Sequence, residues 1–244
     1  MTATPPAGPV LAGGGPVLVA CAHGTRSAAG RRTMGLLRLD VARERPGLEV
    51  VAAHVDVHKP ALDDVVARLA GRRRAMVVVP LLLSTGYHVR VDVGNAAAAA
   101  PGLATAAAAL GPDPTLLDVL EERLGECGAG PGDALVLAAA GSSDPRARAD
   151  VEQVAAWLSV RRSVPVRPGY LSAARPTVAE AVAATRADAP GVPVSIATYL
   201  LAPGLFAERL DDARADRVAA PLAPHPALTR LVLRRYDAAA ATML

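Results

Sequence analysis

Short runs of Val, Leu and Ala alternate along this chain with longer stretches whose apolar residues recur at helical spacing. Strands that are apolar along their whole length are typical of parallel sheets covered by helices on both faces. The predicted strands span residues 16–21, 48–57, 75–83 and 103–109, then 134–140, 164–171, 192–201 and 217–222. The predicted helices span residues 28–45, 61–72, 91–99 and 115–125, then 147–160, 177–188, 205–215 and 227–239.

Strands and helices alternate in the same order in both halves of the chain, with a Gly-rich segment between the halves at residues 125–133. This order predicts an α/β fold of two tandem, similar, doubly wound lobes, each with a mostly parallel four-stranded sheet. We expect one lobe over residues 16–127, which carries the active site, and a degenerate repeat lobe over residues 133–244. Residues 1–15 are uncharged and rich in Pro, Gly and Ala, which predicts a disordered tail.

The two halves also share sequence landmarks, which indicates an internal duplication. The segment AHGTR at residues 22–26 recurs as AAGSS at residues 139–143, and three further landmarks follow in the same order, all 112 to 118 residues apart. Only the first copy keeps its imidazoles, so the sequence predicts one reaction centre, in the first half. The side chains that differ are His23, Asp56, His58 and His88, which become Ala140, Ser172, Ala174 and Phe206.

Histidines follow the first three predicted strands of the first half: His23, His58 and His88. Ligands of doubly wound folds bind beyond the carboxyl ends of the strands, so we expect these imidazoles to converge on one rim. Together with Asp56 they can bind a divalent transition metal or act as general bases near neutral pH, and the residue types alone leave both roles open. The segment Ser84-Thr85-Gly86 can offer hydroxyl and N–H donors to an anion, or can merely form a turn.

Other candidate residues have structural interpretations. His54, Asp56 and His58 alternate on the predicted second strand, so we expect their side chains to point to one face of the sheet. His54 itself is expected to be a packed residue, and His225, in a Pro-His-Pro turn of the degenerate half, is expected to be structural as well. Cys21 lies inside an apolar run and is predicted to belong to the core.

Composition argues against several classes of function. The formal net charge is only +3, the chain has six aromatic residues, and no basic run exceeds three arginines, whereas a nucleic-acid surface needs a basic patch with stacking rings. No apolar run approaches the roughly 20 residues of a membrane span. No glycine-rich nucleotide loop follows a strand, so we expect no nucleotide cofactor. Two cysteines do not form a disulfide framework, so we expect a cytoplasmic protein.

Three segments of the chain resemble the sirohydrochlorin chelatases, which belong to the class II chelatase superfamily. The segments are residues 22–26 after the first strand, Asp56 ahead of Pro60 after the second, and PLLLSTGYH at residues 80–88 after the third. The resemblance covers essentially the whole chain, because the long form of that family is a duplicated two-lobe α/β protein. It implies a lyase that inserts Co²⁺ or Fe²⁺ into sirohydrochlorin without ATP, on the route to cobalamin or sirohaem.

The resemblance also implies roles for individual residues. The divalent metal is a substrate, with Ni²⁺ as an alternative in vitro, and His23 and His88 would bind it and accept protons. Asp56 stands where many relatives carry Glu, so we count it as catalytic, and we add His58 as a further metal ligand. Sirohydrochlorin bears eight carboxylates, and we expect Arg26 to clamp one of them, with Ser84-Thr85-Gly86 contributing to binding.

Two other functions stay open on the residues alone. One is a non-catalytic carrier that binds a metal or a tetrapyrrole and delivers it elsewhere. The other is a hydrolase that uses His23 for phosphoryl transfer, although Ala22 stands where a histidine phosphatase has arginine. For the chelatase, the expected partner is a small-molecule tetrapyrrole, with no nucleic acid and no membrane, and the chain acts as a monomer or a homodimer.

Overall fold

Two parallel sheets with helices around them form the protein. The computed structural model describes residues 15–86 and 88–243, apart from the side chains of residues 88–90. The tail predicted for residues 1–15 therefore lies outside the described residues, except for Gly15. Within the described part of the chain, no helix combines the length and the hydropathy that a membrane crossing requires.

Each half follows the alternation of strands and helices that its sequence predicts. The first half contains β1 (Val17–Ala22), α1 (Ala28–Glu44), β2 (Val50–His54), α2 (Leu62–Gly71), β3 (Met76–Pro80), a π-helical segment (His88–Val93), α3 (Gly94–Ala98), β4 (Ala104–Ala106) and α4 (Thr115–Glu126). The second half contains β5 (Ala134–Ala139), α5 (Pro145–Arg162), β6 (Val166–Tyr170), α6 (Val178–Asp188), β7 (Val194–Tyr199), α7 (Leu205–Glu208), a 3₁₀ turn (Asp211–Ala213), β8 (Arg217–Val218), α8 (Pro226–Ala240) and a 3₁₀ turn (Ala241–Met243).

Both sheets have the same topology. The strand orders are β2-β1-β3-β4 and β6-β5-β7-β8, and all the pairings are parallel. Every residue of β1 and of β5 is buried, which explains why these inner strands are apolar throughout. The predicted fold class, two similar doubly wound α/β lobes, is confirmed.

The duplication extends to backbone detail. Gly24 and Gly141, at the turns after β1 and β5, have left-handed φ angles of 101° and 87°. A Cβ there would lie only 2.3 Å from the backbone oxygen of Asp56 in the first half and 1.9 Å from that of Ser172 in the second. Glycine is therefore required at both turns. The cis peptide bonds also occupy equivalent places, before Pro60 and Pro112 and before Pro176 and Pro224.

The last helix of each half packs against the sheet of the other half. Helix α8 lies on β3 beside α1, and α4 lies on β7 beside α5. The hydroxyl of Tyr236 on α8 donates to the carbonyl oxygen of Pro16, at 2.6 Å. A guanidinium nitrogen of Arg123 on α4 donates to the carbonyl oxygen of Pro224, at 2.8 Å. The two sheets consequently share one large core, and the domain boundaries stay a prediction.

The second strand is shorter than its apolar pattern predicts. Strand β2 ends at His54, and the chain then turns, with Val57 in the left-handed region at a φ of 71°. Asp56 and His58 therefore lie in the loop after the strand. The prediction that they alternate with His54 on one face of the sheet was wrong, because that argument holds only for extended backbone.

Two helices also differ from their predicted bounds. The helix predicted for residues 91–99 begins at His88, with a π-helical segment before α3. The helix predicted for residues 205–215 is interrupted, because α7 has only four residues. The N–H of Leu210 then bonds to the carbonyl of Ala207 in a tighter turn, at 3.1 Å, which places the Leu210 side chain in the core.

Candidate active site

A cleft of about 1070 Å³ lies between the two halves of the chain. Its walls come from the loops that follow the carboxyl ends of β1, β2 and β3 in the first half and of β5, β6 and β7 in the second. The volume is at the upper end of the range for small-molecule sites. Both walls are therefore supplied by one chain.

His23 is an exposed residue on the wall of this cleft, directly after β1. The neighbouring loop fixes its backbone, because the N–H of Asp56 donates to the carbonyl oxygen of His23 at 3.1 Å. The Gly24 turn allows this close approach of the two loops, since a side chain at that position would collide with the Asp56 carbonyl. The backbone thus holds an exposed imidazole at the end of a buried strand.

A pair of neighbouring imidazoles, with ring planes tilted by 39°, lies beside the His23 loop on the same wall. The ring centroids of His54 and His58 are 3.9 Å apart. His54 is 6% exposed, and its Nδ1 lies 3.3 Å from the carbonyl oxygen of Pro60. Burial lowers the pKa of His54, His58 and Arg38 act in the same direction, and the Pro60 carbonyl opposes them. The Nδ1 of His58 is buried and has no hydrogen-bond partner among the described residues, so it is suited to an added ligand.

Two of the predicted site residues do not line the cleft. Asp56 is exposed, and its carboxylate accepts the N–H of Val57 at 2.7 Å. The backbone N–H and the hydroxyl of Thr85 both donate to Oδ2 of Asp150 in the second half, at 2.7 and 2.6 Å. These donors are therefore engaged within the protein, and the structure does not offer them to an anion in the cleft.

Three further predicted residues line the cleft, and the fourth is His88. Ser84, Gly86 and Arg26 line the cleft. His88 begins the π-helical segment, and its side chain lies outside the described part of the structure. Among the described residues, no three His, Cys, Asp or Glu side chains converge as a metal site.

The second half supplies the opposite wall without imidazoles at the corresponding positions. Ala140, Ser172 and Phe206 line it where the first half has His23, Asp56 and His88. The hydroxyl of Ser172 donates to the carbonyl oxygen of Ala140 at 2.8 Å, so it serves the backbone of its own half. This wall can contact a ligand, but these three side chains offer no imidazole to hold a metal.

Basic residues line the cleft, and no Asp or Glu is among the described residues of its walls. Arg31 donates to the carbonyl oxygen of Arg26 at 2.7 Å, and Arg148 lies 3.6 Å from Glu152. Arg38 forms no ion pair with the described residues, and burial lowers its pKa. A cleft with this charge favours an anionic ligand. The five basic side chains are Arg26, Arg31, Arg38, Lys59 and Arg148.

Sequence reasoning identified Arg26 but missed three of these basic residues. Arg38 and Arg148 line the cleft but are distant from the histidine motifs in sequence, whereas Lys59 directly follows His58. The helical spacing from Arg31 to Arg38, two turns along α1, was a signal that could have found Arg38. The corresponding position of the duplicate could have indicated Arg148, which stands 117 residues after Arg31.

Two residues have the structural roles that the sequence predicts. Cys21 is fully buried, and its burial, with smaller effects of Asp92 and Asp63, raises the pKa of its thiol to about 12. His225 caps helix α8, because its Nδ1 accepts the N–H of Ala227 at 3.1 Å. Neither side chain lines the cleft.

The family model of CbiX matches residues 17–127 and, a second time, residues 134–239. The chain belongs to the CbiX family. One match in each half also confirms the predicted duplication. None of the curated proteins compared with this chain matches it.

Solved structures share the whole bilobal fold. SirB from Bacillus subtilis with Fe³⁺ aligns with a TM-score of 0.78 at 21% identity, over 93% of this chain and 96% of that one. The sirohydrochlorin chelatase SirB from Bacillus subtilis subspecies spizizenii, in complex with cobalt, aligns with a TM-score of 0.74 at 19% identity, with the same coverage. DR2241 from Deinococcus radiodurans, a multi-domain protein, aligns at 0.62 and 21% identity, over 92% of this chain and 55% of that one.

These identities show the fold rather than the chemistry of this CbiX-family chain. Together with the two family matches, they confirm the predicted resemblance to the sirohydrochlorin chelatases in their long, duplicated form. The metal, the substrate and the residue roles at the cleft belong to the proposal below.

Proposed function

We propose that this chain is a lyase that inserts Co²⁺ or Fe²⁺ into sirohydrochlorin without ATP, in cobalamin or sirohaem biosynthesis. The observation that carries the proposal is the asymmetry of the cleft. Among the described side chains, imidazoles stand on one wall only, and the cleft is lined by five basic side chains and no acidic one. A metal-binding wall that faces a cationic cavity fits a reaction between a divalent metal and a polyanionic macrocycle.

The metal is a substrate that must be held and then released. Imidazole nitrogens bind Co²⁺ and Fe²⁺ well, and a site with few protein ligands leaves the ion partly hydrated and exchangeable. We assign this role to His23, exposed at the end of β1, and to His88, at the start of the π-helical segment. His58, whose buried Nδ1 lacks a partner among the described residues, is the third proposed ligand.

Protons must leave the macrocycle as the metal enters. Each insertion replaces two pyrrole N–H protons by one divalent ion, so a base is needed on the same face as the ion or on the opposite one. An imidazole is a competent acceptor near neutral pH because its unperturbed pKa is about 6.5. A histidine that holds the ion becomes available as a base when the ion passes to the pyrrole nitrogens.

The basic residues would hold the carboxylates of the macrocycle. Arg26 and Arg38 belong to the same wall as the imidazoles, whereas Arg148 belongs to the opposite wall. Arginine suits this task because its planar guanidinium forms two parallel hydrogen bonds to one carboxylate. Contacts on both walls would fix the orientation of the ring relative to the metal.

Turnover distinguishes an enzyme from a carrier. Sirohydrochlorin with excess Co²⁺, or with Fe²⁺ in the absence of oxygen, is mixed with substoichiometric protein, and metal insertion is followed by the shift of the Soret band. We expect many equivalents of product per chain, and loss of this turnover in His23→Ala. A yield that stops at one equivalent per chain would support the carrier instead. The ratio of kcat/KM for the two metals identifies the preferred one.

A further inference from the structure

The loop that leads from β3 towards His88, residues 81–86, is held at its start by its own half of the chain. The N–H of Leu81 donates to the carbonyl oxygen of Cys21 at 2.7 Å. The carbonyl oxygen of Leu82 accepts the N–H of Leu110 at 2.9 Å. The first two residues of the loop are thus tied to the sheet from which it emerges.

From Leu83 onwards, the second half of the chain holds this loop. The buried hydroxyl of Tyr199, at the end of β7, donates to the carbonyl oxygen of Leu83 at 2.9 Å. Oδ2 of Asp150 on α5 accepts both the backbone N–H and the hydroxyl of Thr85, at 2.7 and 2.6 Å. Hydrogen bonds to a carboxylate are stronger than neutral ones, and two of them converge here on one residue.

Close packing follows these hydrogen bonds. A Cβ at Gly86 would lie 3.4 Å from the Oγ of Ser142 and 3.4 Å from the Cβ of Ala147, which are residues of the second half. The loop therefore rests on the amino-terminal end of α5. His88 follows two residues after Gly86 and begins the π-helical segment.

The equivalent loop of the second half lacks this anchor. Its Leu201 carbonyl accepts the N–H of Ala223, from its own half, at 2.9 Å. Pro203 stands where the first half has Thr85, and proline has neither an N–H nor a hydroxyl to donate. The helix position that corresponds to Asp150 is Thr33 on α1. The carboxylate anchor thus exists only for the loop that precedes a histidine.

We propose that Asp150 is a positioning residue for the metal site: by holding Thr85, it fixes the loop that leads to His88. The inference rests on the proposed role of His88 as a metal ligand. It assigns the second half a part in metal binding although that half carries none of the proposed ligands. Loops are the most mobile part of a fold, and partners that orient metal ligands typically change metal affinity 10- to 100-fold when they are removed.

The test measures Co²⁺ binding without tetrapyrrole, by spectroscopic titration of the full chain. We expect Asp150→Ala, which removes both hydrogen bonds, to weaken Co²⁺ binding about 10-fold or more, and Thr85→Val, which removes only the hydroxyl hydrogen bond, to weaken it less. The double variant should be no weaker than Asp150→Ala alone, because that change already removes the hydroxyl hydrogen bond that Thr85→Val removes. Thr85→Ser keeps both donors and should bind Co²⁺ as the wild type does.

The matched control is Asp118→Ala, which removes an ion pair to Arg161 between the two halves, 2.6 Å long and away from the cleft. It should leave Co²⁺ affinity unchanged. Unfolding midpoints are recorded for each variant, and Asp150→Asn provides a milder change if Asp150→Ala folds poorly. Equal losses in Asp150→Ala and Asp118→Ala would overturn the inference, because they would show a general effect of joining the halves.

Two further outcomes separate this inference from the proposed function. Co²⁺ binding that depends on His88 but is unaffected by Asp150→Ala and Thr85→Val would overturn the anchor alone. Wild-type protein that binds no Co²⁺, or binds it equally after His88→Ala, would overturn both the anchor and the metal-holding role of His88.

Discussion

Arg38 provides a direct test of how the cleft would receive a polyanion. It lies on α1, lines the cleft, and makes no ion pair with the described residues, while burial lowers the pKa of its guanidinium. A partly buried cation without a partner costs stability in the free protein and is suited to a ligand that neutralises it. We therefore expect Arg38→Gln to weaken the binding of sirohydrochlorin without destabilising the fold.

The size of the effect follows from the contact that is lost. A hydrogen bond to a charged group contributes roughly 1.5–3 kcal/mol, and each 1.4 kcal/mol corresponds to about tenfold in Kd. Arg38 is only partly buried, so solvent screening favours the lower end of this range. We expect Kd to rise about 10-fold at an ionic strength of roughly 0.1 M, and the difference to shrink as salt screens the charge.

The assay is a fluorescence titration of metal-free sirohydrochlorin, so that the result does not depend on metal insertion. The matched control is Arg32→Gln, which removes an exposed arginine of the same helix that does not line the cleft. A Kd for Arg38→Gln equal to that of the wild type or of the control would refute the reasoning. A marked fall in its unfolding midpoint would also contradict it, because it would show that Arg38 stabilises the free protein.

Three further predictions concern the metal, the first turn and the pH dependence. Equilibrium dialysis should find one specific Co²⁺ site per chain, which His23→Ala removes; a second site of equal affinity that survives this change would contradict the division of roles between the halves. Gly24→Ala should lower the free energy of unfolding by about 1–3 kcal/mol, since its φ is 101° and its Cβ would meet the Asp56 carbonyl at 2.3 Å. Urea unfolding measures this, and Gly47→Ala, which has a φ of 89° but open space, should cost less. Because burial lowers the pKa of His54 below its ordinary 6.5, the unfolded chain binds more protons there, so stability should fall as the pH drops below about 6.5. Thermal unfolding at pH 7.5 and 5.5 should show a smaller loss in His54→Phe, and an equal loss would exclude His54 as the cause.

The architecture could be predicted from the sequence because local pattern encodes it. Inner strands such as β1 are buried on both faces, so they must be apolar throughout, and the helices between them repeat at helical spacing. The parallel topology then predicts that residues after β1, β2 and β3 meet at one rim, as His23, His58 and Ser84 do. The duplication could be recognised in the sequence because equivalent turns, such as those at Gly24 and Gly141, tolerate only glycine and therefore keep the same residue in both halves.

Only the tertiary structure decided the features that depend on contacts between distant segments. Helices α4 and α8 each pack on the sheet of the other half, Thr85 pairs with Asp150, and Arg148 lines the cleft on the wall opposite the imidazoles. These contacts join residues far apart in sequence. No periodicity along the chain reports such contacts, because they are set by how the two halves pack. The end of β2 at His54 was missed for a related reason, since the apolar pattern continues into a turn that the neighbouring His23 loop imposes. Sequence pattern thus determined the order of the strands and helices, and the packing of the two halves determined which of the residues that follow the strands face the cleft.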